Sequence, residues 1–443
     1  MKKLIILSSV IVLLLTSCEP KEPKDIDDKP DPPSTGLTPA MARDSLYYLM
    51  KHWYYWYDLM PVVTRENYSD PYQLMEAMRY RPLDRWSFVA DYDEFLAEMS
   101  GTFVGHGIRI GIDESRKARI AMIYSLSPLY AEGVRRGWII KTINNVDIAA
   151  VILAGDAEAY NNALGPSQEG ITNTFVFEKP DGNEVTINST KKTFQVNSVL
   201  LYDTLHLSSG ITGHLVFESF IEPSSQELET AFAFFKENNV KDLILDLRYN
   251  SGGYLYVAKK LASYIAGNSP AASNTTFAKL TYNNKNIAYN TNYTFETTTY
   301  PLDLTRILFI TSNLTASASE AVINGLKPLM NVVTVGDTTH GKPVGMNGWE
   351  VGEKYFFWPV TFKMVNKNNE GDFFDGFAPS KLQIDDITHD FDDRREYCLR
   401  EAISYLTTGS FSSTKGAVFF ERYPQISERP AWMNNAFATE NIK

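Results

Sequence analysis

Cysteine is nearly missing from this chain of 443 residues: there are two, Cys18 and Cys398. If Cys18 is modified, as its setting below indicates, no disulfide framework remains, and the fold must stand on its core. Cys398, in Arg395-Glu396-Tyr397-Cys398-Leu399, reads as a small buried hydrophobe on a helix. Positive charge is short too, with 42 Lys and Arg against 53 Asp and Glu and a net charge of −11. No dense run of Lys and Arg occurs, which argues against nucleic acid, whose phosphates need clustered cations. Beyond the first residues, no apolar run reaches the ~20 residues of a membrane-spanning helix. None of the six histidines opens a His-Glu-x-x-His pattern, which removes that zinc peptidase motif. There is no Gly-x-Ser-x-Gly elbow and no internal repeat. Hydrophobic residues still make up 44%, enough for a large core in two or three domains.

What is present begins with an address. Lys2-Lys3 supply a positive start, Leu4 to Leu15 an apolar stretch, and Leu15-Thr16-Ser17-Cys18 follows. This resembles the bacterial lipobox, in which the Cys is lipidated and becomes the mature N-terminus; an ordinary secretory signal with a chance Cys is the alternative. Residues 1–17 are then a lipoprotein signal peptide. Several acyl chains on Cys18 would hold the protein firmly to a membrane of the bacterial cell envelope, on the periplasmic or the cell-surface side of the outer membrane. Residues 18–38 are acidic and proline-rich and read as an extended tether.

Residues 39–100 change character and read as a small N-terminal helical cap. Asp44 to Leu59, Tyr72 to Arg79 and Tyr92 to Met99 carry helical spacing, and their aromatic stripe reads as core rather than a sugar-binding surface. Residues 101–195 switch to short strands and turns: Gly105 to Ile112 alternates, Ser127 to Val134 is a short helix, Trp138 to Val146 is strand, turn, strand, and Phe175 to Ile187 is a hairpin. Residues 196–409 alternate strand and helix. Strands are expected at 214–217, 243–247, 306–311 and 332–335, with helices at 224–236, 257–265 and 317–330. That alternation implies a mixed, largely parallel sheet with crossover helices. The Asn- and Thr-rich stretch 273–298 reads as a hairpin excursion, and residues 410–443 as a C-terminal tail.

Two segments carry chemistry. Thr315-Ala316-Ser317-Ala318-Ser319-Glu320 follows a strand and opens a helix, and Gly341-Lys342 lies 25 positions beyond Ser317. A serine at a helix start has unpaired backbone N–H groups beside it, the Ala318 N–H among them, ready for an oxyanion. A lysine buried in apolar surroundings loses its proton and can act as base. Taken alone, Ser317 to Glu320 also fits a capping box, Gly341-Lys342 an exposed turn, and Asp246 with Arg248 a strand-end ion pair. His340 reads as a loop residue near Lys342.

Together with Leu245-Asp246-Leu247-Arg248-Tyr249-Asn250-Ser251-Gly252-Gly253 and Val335 to Lys342, these segments resemble the S41 peptidases, the carboxyl-terminal processing proteases. The order of residues 101–195 resembles a PDZ domain of the bacterial protease type, with Trp138 where Asp usually follows the glycine. The resemblance implies a crotonase-like α/β core, Ser317 as nucleophile and Lys342 as general base. It assigns an oxyanion hole to Ala318 with the turn Gly252-Gly253. It also implies a groove along Gly105, Gly107, Ile108 and Arg109 that takes a peptide as an added strand. Arg109 there either adds charge for a peptide carboxylate or is a solvated arginine. The family often has a polar residue, commonly Gln, four positions after the Lys; here it is Met346. The implied substrate is a polypeptide with an unstructured carboxyl end, with no metal or organic cofactor. Two rivals remain: a peptide- or ligand-binding envelope lipoprotein that has lost catalysis, and an envelope scaffold. A Ser317 Oγ within hydrogen-bond reach of Lys342 Nζ would mark the dyad.

Overall fold

A central sheet gathers the apolar strands of the alternating region. In the computed structural model, which describes residues 36–412, 422–429 and 437–440, its order is Val199–Leu207, Gly210–Phe217, Asp242–Asp246, Arg306–Thr311, Asn331–Gly336 and Lys381–Leu382. The first pair is antiparallel and the remaining four pairings are parallel. Every residue of Asp242–Asp246 is buried, as in a strand covered on both faces. Helix Tyr397–Thr408 covers part of it, with Cys398, Leu399, Ala402 and Leu406 packed on Ile244, Leu308, Ile310 and Val333. Cys398 is thus a buried core residue, as its helical setting suggested. The helix after Ser317 runs only from Ala318 to Leu326, shorter than expected, because Pro328 has no N–H to continue it. Cys18, the apolar leader and most of the 18–38 tether lie outside the described residues. Thr38–Lys443 forms one compact unit.

Residues 101–195 build an antiparallel sheet with its own core. Its order is Gln425–Ser427, Ile108–Ile112, Ala118–Ile123, Ile139–Ile143, Thr172–Glu178 and Glu184–Thr190. Ile110, Ile120, Ile140, Phe175 and Phe177 pack inside it. The single strand expected from Gly105 is two. Thr102–Gly105 pairs with Lys192–Gln195, and Ile108–Ile112 pairs with Ala118–Ile123. Gly107 turns the chain between them at φ +68°, where a Cβ would sit 2.6 Å from the Phe194 ring. Helices Ile148–Ala154 and Ala157–Leu164 were not anticipated; Asp147 and Asp156 cap them, each accepting an N–H three residues on.

The N-terminal helices are Pro39–Trp53, Pro71–Met78 and Tyr92–Ser100. The first begins earlier than expected because Thr38 caps it and Pro39 occupies its first turn, and it ends before Leu59. They are not a free-standing cap. Strand Phe88–Asp91 pairs with Tyr355–Trp358, far along the chain. Tyr54 and Trp56 are buried, so part of the aromatic stripe is core.

A third sheet has the order Gly252–Tyr254, Phe437–Glu440, Val344–Asn347, Val360–Val365, Thr276–Tyr282 and Thr291–Thr294. The last two strands are the Asn- and Thr-rich hairpin. Phe437–Glu440 runs parallel to both of its neighbours.

Candidate active site

Strand Arg306–Thr311 delivers the chain to a loop stitched onto the turn after Asp242–Asp246. Thr315 Oγ1 donates to the Leu247 carbonyl at 2.8 Å, the Ala316 N–H to the Asn250 carbonyl at 3.1 Å, and Ser319 Oγ to the same carbonyl at 3.0 Å. Ser317 sits at the break between loop and helix with φ 60° and ψ −109°. A positive φ is strained for a residue with a Cβ, and such strain concentrates where a side chain must be presented. Ser317 is fully buried, and its Oγ has no hydrogen-bond partner among the described residues. It therefore does not cap the helix. Only the other half of the capping box is made: the Ser317 N–H donates to Glu320 Oε2 at 2.8 Å.

Glu320 turns out to be the hub of the site. Besides Ser317, its carboxylate accepts from Thr339 Oγ1 at 2.6 Å, from the Gly341 N–H at 2.7 Å and from the Lys342 N–H at 2.8 Å. Burial pushes its carboxyl pKa up, and these four donors oppose that shift. The glutamate that sequence reading took for a cap thus ties the serine loop to the lysine loop.

Lys342 is fully buried, not an exposed turn residue. Loss of solvation lowers its ammonium pKa from 10.5 to about 7, against the opposing fields of Asp84 and Glu320. Its Nζ lies 3.6 Å from Met346 Sδ and 5.8 Å from the centre of the Trp86 ring. The expected Ser317–Lys342 hydrogen bond is not made in this conformation, since Ser317 Oγ has no hydrogen-bond partner among the described residues.

Sequence reading missed the N-terminal wall. Asp84 is fully buried; it accepts from Tyr54 Oη at 2.8 Å and from Ser87 Oγ at 2.6 Å, and its other oxygen takes the N–H groups of Trp86 and Ser87. Trp86 Nε1 donates to His340 Nε2 at 3.0 Å. Burial lowers the His340 pKa to about 4, so the ring is a neutral acceptor at ordinary pH. The run Asp84-Arg85-Trp86-Ser87, polar groups at the end of an aromatic helical region, was the available signal.

The glycine turn lies beside the serine loop through Asn250. Gly252 has already given its N–H to Asn250 Oδ1 at 2.9 Å, so that donor is engaged. Gly253, at φ +136°, passes so close to Phe220 that a Cβ would be 2.1 Å from its carbonyl oxygen. Ala318 is the first helical residue, whose N–H has no partner within the helix. Arg248 holds the turn from behind, with Asp246, Asp385 and Glu396 on its guanidinium; the expected ion pair is part of this larger buried network.

The four residues expected to line a groove lie beside another strand of the chain. Strand Gln425–Ser427 pairs antiparallel with Ile108–Ile112, placing Ser427 opposite Arg109 and Ile426 opposite Ile110. The Glu428 carboxylate accepts the His106 N–H at 3.1 Å and the Ile108 N–H at 3.2 Å, while Gly105 and Gly107 flank His106. Arg109 is buried rather than solvated, 5.5 Å from the Tyr249 ring centre. A cavity of about 670 Å³ runs along this segment, lined among others by Arg109, Tyr160, Lys191, Asn313 and Glu428; Ser317 and Lys342 do not line it. Among the described residues no group of three or more His, Cys, Asp or Glu is placed to hold a metal ion.

Comparison with known proteins places these segments. Residues 211–380 match the profile of Peptidase family S41, and residues 42–88 that of the Peptidase S41 N-terminal domain. The carboxyl-terminal-processing protease of Picosynechococcus sp. is 23% identical over 290 residues, 64% of this chain and 64% of that protein. The carboxy-terminal processing protease CtpB of Bacillus subtilis is 21% identical over 296 residues, 65% of this chain and 56% of that protein. The chain thus spans less than two thirds of the length of these curated relatives. A crystal structure from Bacteroides fragilis NCTC 9343, of a protein assigned to the S41 proteases, superposes with a TM-score of 0.66 at 21% identity, covering 82% of this chain and 96% of that one. At that identity the likeness is one of fold, a mixed α/β architecture. One profile thus covers Ser317 and Lys342 and the other covers Asp84 to Ser87, the wall beside them, so the chain carries a Peptidase family S41 domain and a Peptidase S41 N-terminal domain.

Proposed function

We propose that the chain is a serine endopeptidase that cuts polypeptides near an unstructured carboxyl end, with Ser317 as nucleophile and Lys342 as general base. The observation that carries this reading is the buried Lys342 amine, whose pKa of about 7 lets it be neutral at working pH. Neutral Nζ takes the Ser317 proton as Oγ attacks the peptide carbonyl carbon. The carbonyl oxygen becomes an oxyanion facing the Ala318 N–H and a backbone donor of the Gly252-Gly253 turn. Collapse of the intermediate breaks the C–N bond, the departing amine takes the proton from Lys342, and water then hydrolyses the acyl-enzyme by the same relay. Catalytic hydrogen bonds often tighten only once substrate is bound, which accounts for the missing Ser317–Lys342 contact.

In this proposal residues 101–195 are a PDZ-like module that takes the substrate's end as an added strand. Cys18 carries a lipid that anchors the protein in the bacterial cell envelope. Cys18→Ala should then lose membrane partitioning, and unchanged detergent partitioning would remove the anchor from the proposal.

The Met346 contact favours a second reading, a catalytically impaired homologue that binds peptides or other ligands as an envelope lipoprotein. A small serine-directed reagent separates the two. Labelling of wild type at Ser317, absent from Ser317→Ala, together with hydrolysis of an unstructured peptide, supports the peptidase. Peptide binding without labelling or turnover supports the binder.

A further inference from the structure

Two places that a substrate polypeptide needs are filled by the chain itself. The first is the edge of Ile108–Ile112, where Gln425–Ser427 is the added strand. There the Glu428 carboxylate rests on two backbone N–H groups of the His106 turn, as the terminal carboxylate of a peptide ligand would. The second is the slot between the glycine turn and the strand that follows Lys342. Phe437–Glu440 fills it, with Ala438 opposite Gly253 and Thr439 opposite both Tyr254 and Met346.

The first station is built, not incidental. Arg429, next to Glu428, is buried between Glu98 at 2.9 Å and Glu218 at 2.8 Å. Arg422, just before the added strand, pairs with Asp337, on the loop leading to Lys342. These contacts hold the segment at both ends of its first station. Ser317 and Lys342 are fully buried, so no outside polypeptide reaches them in this conformation.

We propose that Gln425–Ser427 with Glu428, and Phe437–Glu440, are intramolecular occupants of a two-station polypeptide track, and that a substrate chain must displace them to reach Ser317. The inference rests on the peptidase reading of the site. It specifies the track's ligand as an extended strand that presents a carboxylate at the His106 turn and lies parallel between Gly252–Tyr254 and Val344–Asn347. An occupant tethered to the protein competes at high effective concentration, and the apparent affinity for substrate falls by the fraction of time the track is free.

The test keeps the whole chain until it has folded. Residues 430–436 are replaced by the recognition sequence of an unrelated, sequence-specific protease, and the purified protein is assayed before and after that protease cuts. A second arm, Glu428→Gln, needs no cut: it weakens the hold on the His106 turn and leaves the buried Arg429 pairs intact. Both should raise kcat/KM on an unstructured peptide, and the rate of Ser317 labelling, by about tenfold or more if the track is free a tenth of the time or less. Unchanged or lower rates in both arms overturn the proposal and make Phe437–Glu440 a permanent strand of its sheet. A fluorescent peptide of residues 422–443 separates this from failure of the peptidase reading. Binding gained on cutting, without hydrolysis in either state, keeps the occupancy and rejects the peptidase. Equal hydrolysis in both states keeps the peptidase and rejects the occupancy, and neither binding nor hydrolysis rejects both.

Discussion

The backbone N–H groups of Ser317 and Lys342 donate to one and the same oxygen, Glu320 Oε2, each at 2.8 Å. Two loops 25 residues apart in sequence are therefore held within two hydrogen-bond lengths of each other, with a buried carboxylate as the pin. The relative position of Ser317 and Lys342 depends on that pin.

Removing the Ser317 hydroxyl should separate chemistry from stability. Ser317→Ala is expected to abolish peptide hydrolysis. Its Oγ caps nothing here, so the loss of about 1 kcal/mol that accompanies a removed N-cap should not appear. Denaturant unfolding beside a turnover assay checks both. Retained turnover would remove Ser317 from catalysis.

Lys342 sets the pH dependence. With its neutral form as the proposed base, activity should rise with pH through about 7. Lys342→Arg keeps a charge that cannot be given up and should be as inactive as Lys342→Ala. Stability carries a second signature. Between about 7 and the ordinary 10.5 the unfolded chain holds a proton on this lysine that the folded one lacks, so this group's contribution to stability rises with pH across that window. Against Lys342→Met, wild type should gain relative stability as pH climbs from 7 toward 10. A flat difference would mean an unperturbed amine.

Glu320→Gln tests the pin. An amide oxygen accepts as before, but its NH₂ now faces two of the four donors. Each donor left without an acceptor costs about 1–3 kcal/mol. A lower melting temperature and a lower kcat are expected together, and a variant with wild-type kcat would show that the loops are positioned without it.

Gly253→Ala should be far more damaging than its size suggests. The new Cβ meets the Phe220 carbonyl at 2.1 Å, in a backbone region that L residues rarely adopt. A stability loss above about 2 kcal/mol with loss of turnover is expected, in the range of strained backbone positions. Near-normal melting of the variant would contradict the described turn.

Much of the core was legible because buried parallel strands are written as continuous apolar runs. Arg306–Thr311 matches its expected span, and Asp242–Asp246 is displaced by one residue. Ser317 and Lys342 stood out because the segments that carry them, with Leu245 to Gly253, follow one another in the order that resembles the S41 peptidases. What escaped was long-range. Trp86 reaches His340 across 254 positions, and nothing local announces such a meeting. Glu320 was hidden by a common local motif, since Ser-x-x-Glu at a helix start reads as a cap whatever else the carboxylate holds. Gln425–Ser427 is too short to show alternation, so its pairing could not be read from periodicity.

The pairing of Phe88–Asp91 with Tyr355–Trp358 has a consequence for how the protein comes into being. During synthesis the first strand emerges long before its partner exists, and closing so long a loop is slow compared with forming local turns. Asp84 and Trp86, adjacent to that first strand, cannot take their places beside Lys342 until the later strand has been made. The wall beside Lys342 is therefore completed only after Tyr355–Trp358 has left the ribosome, however early its own residues were made.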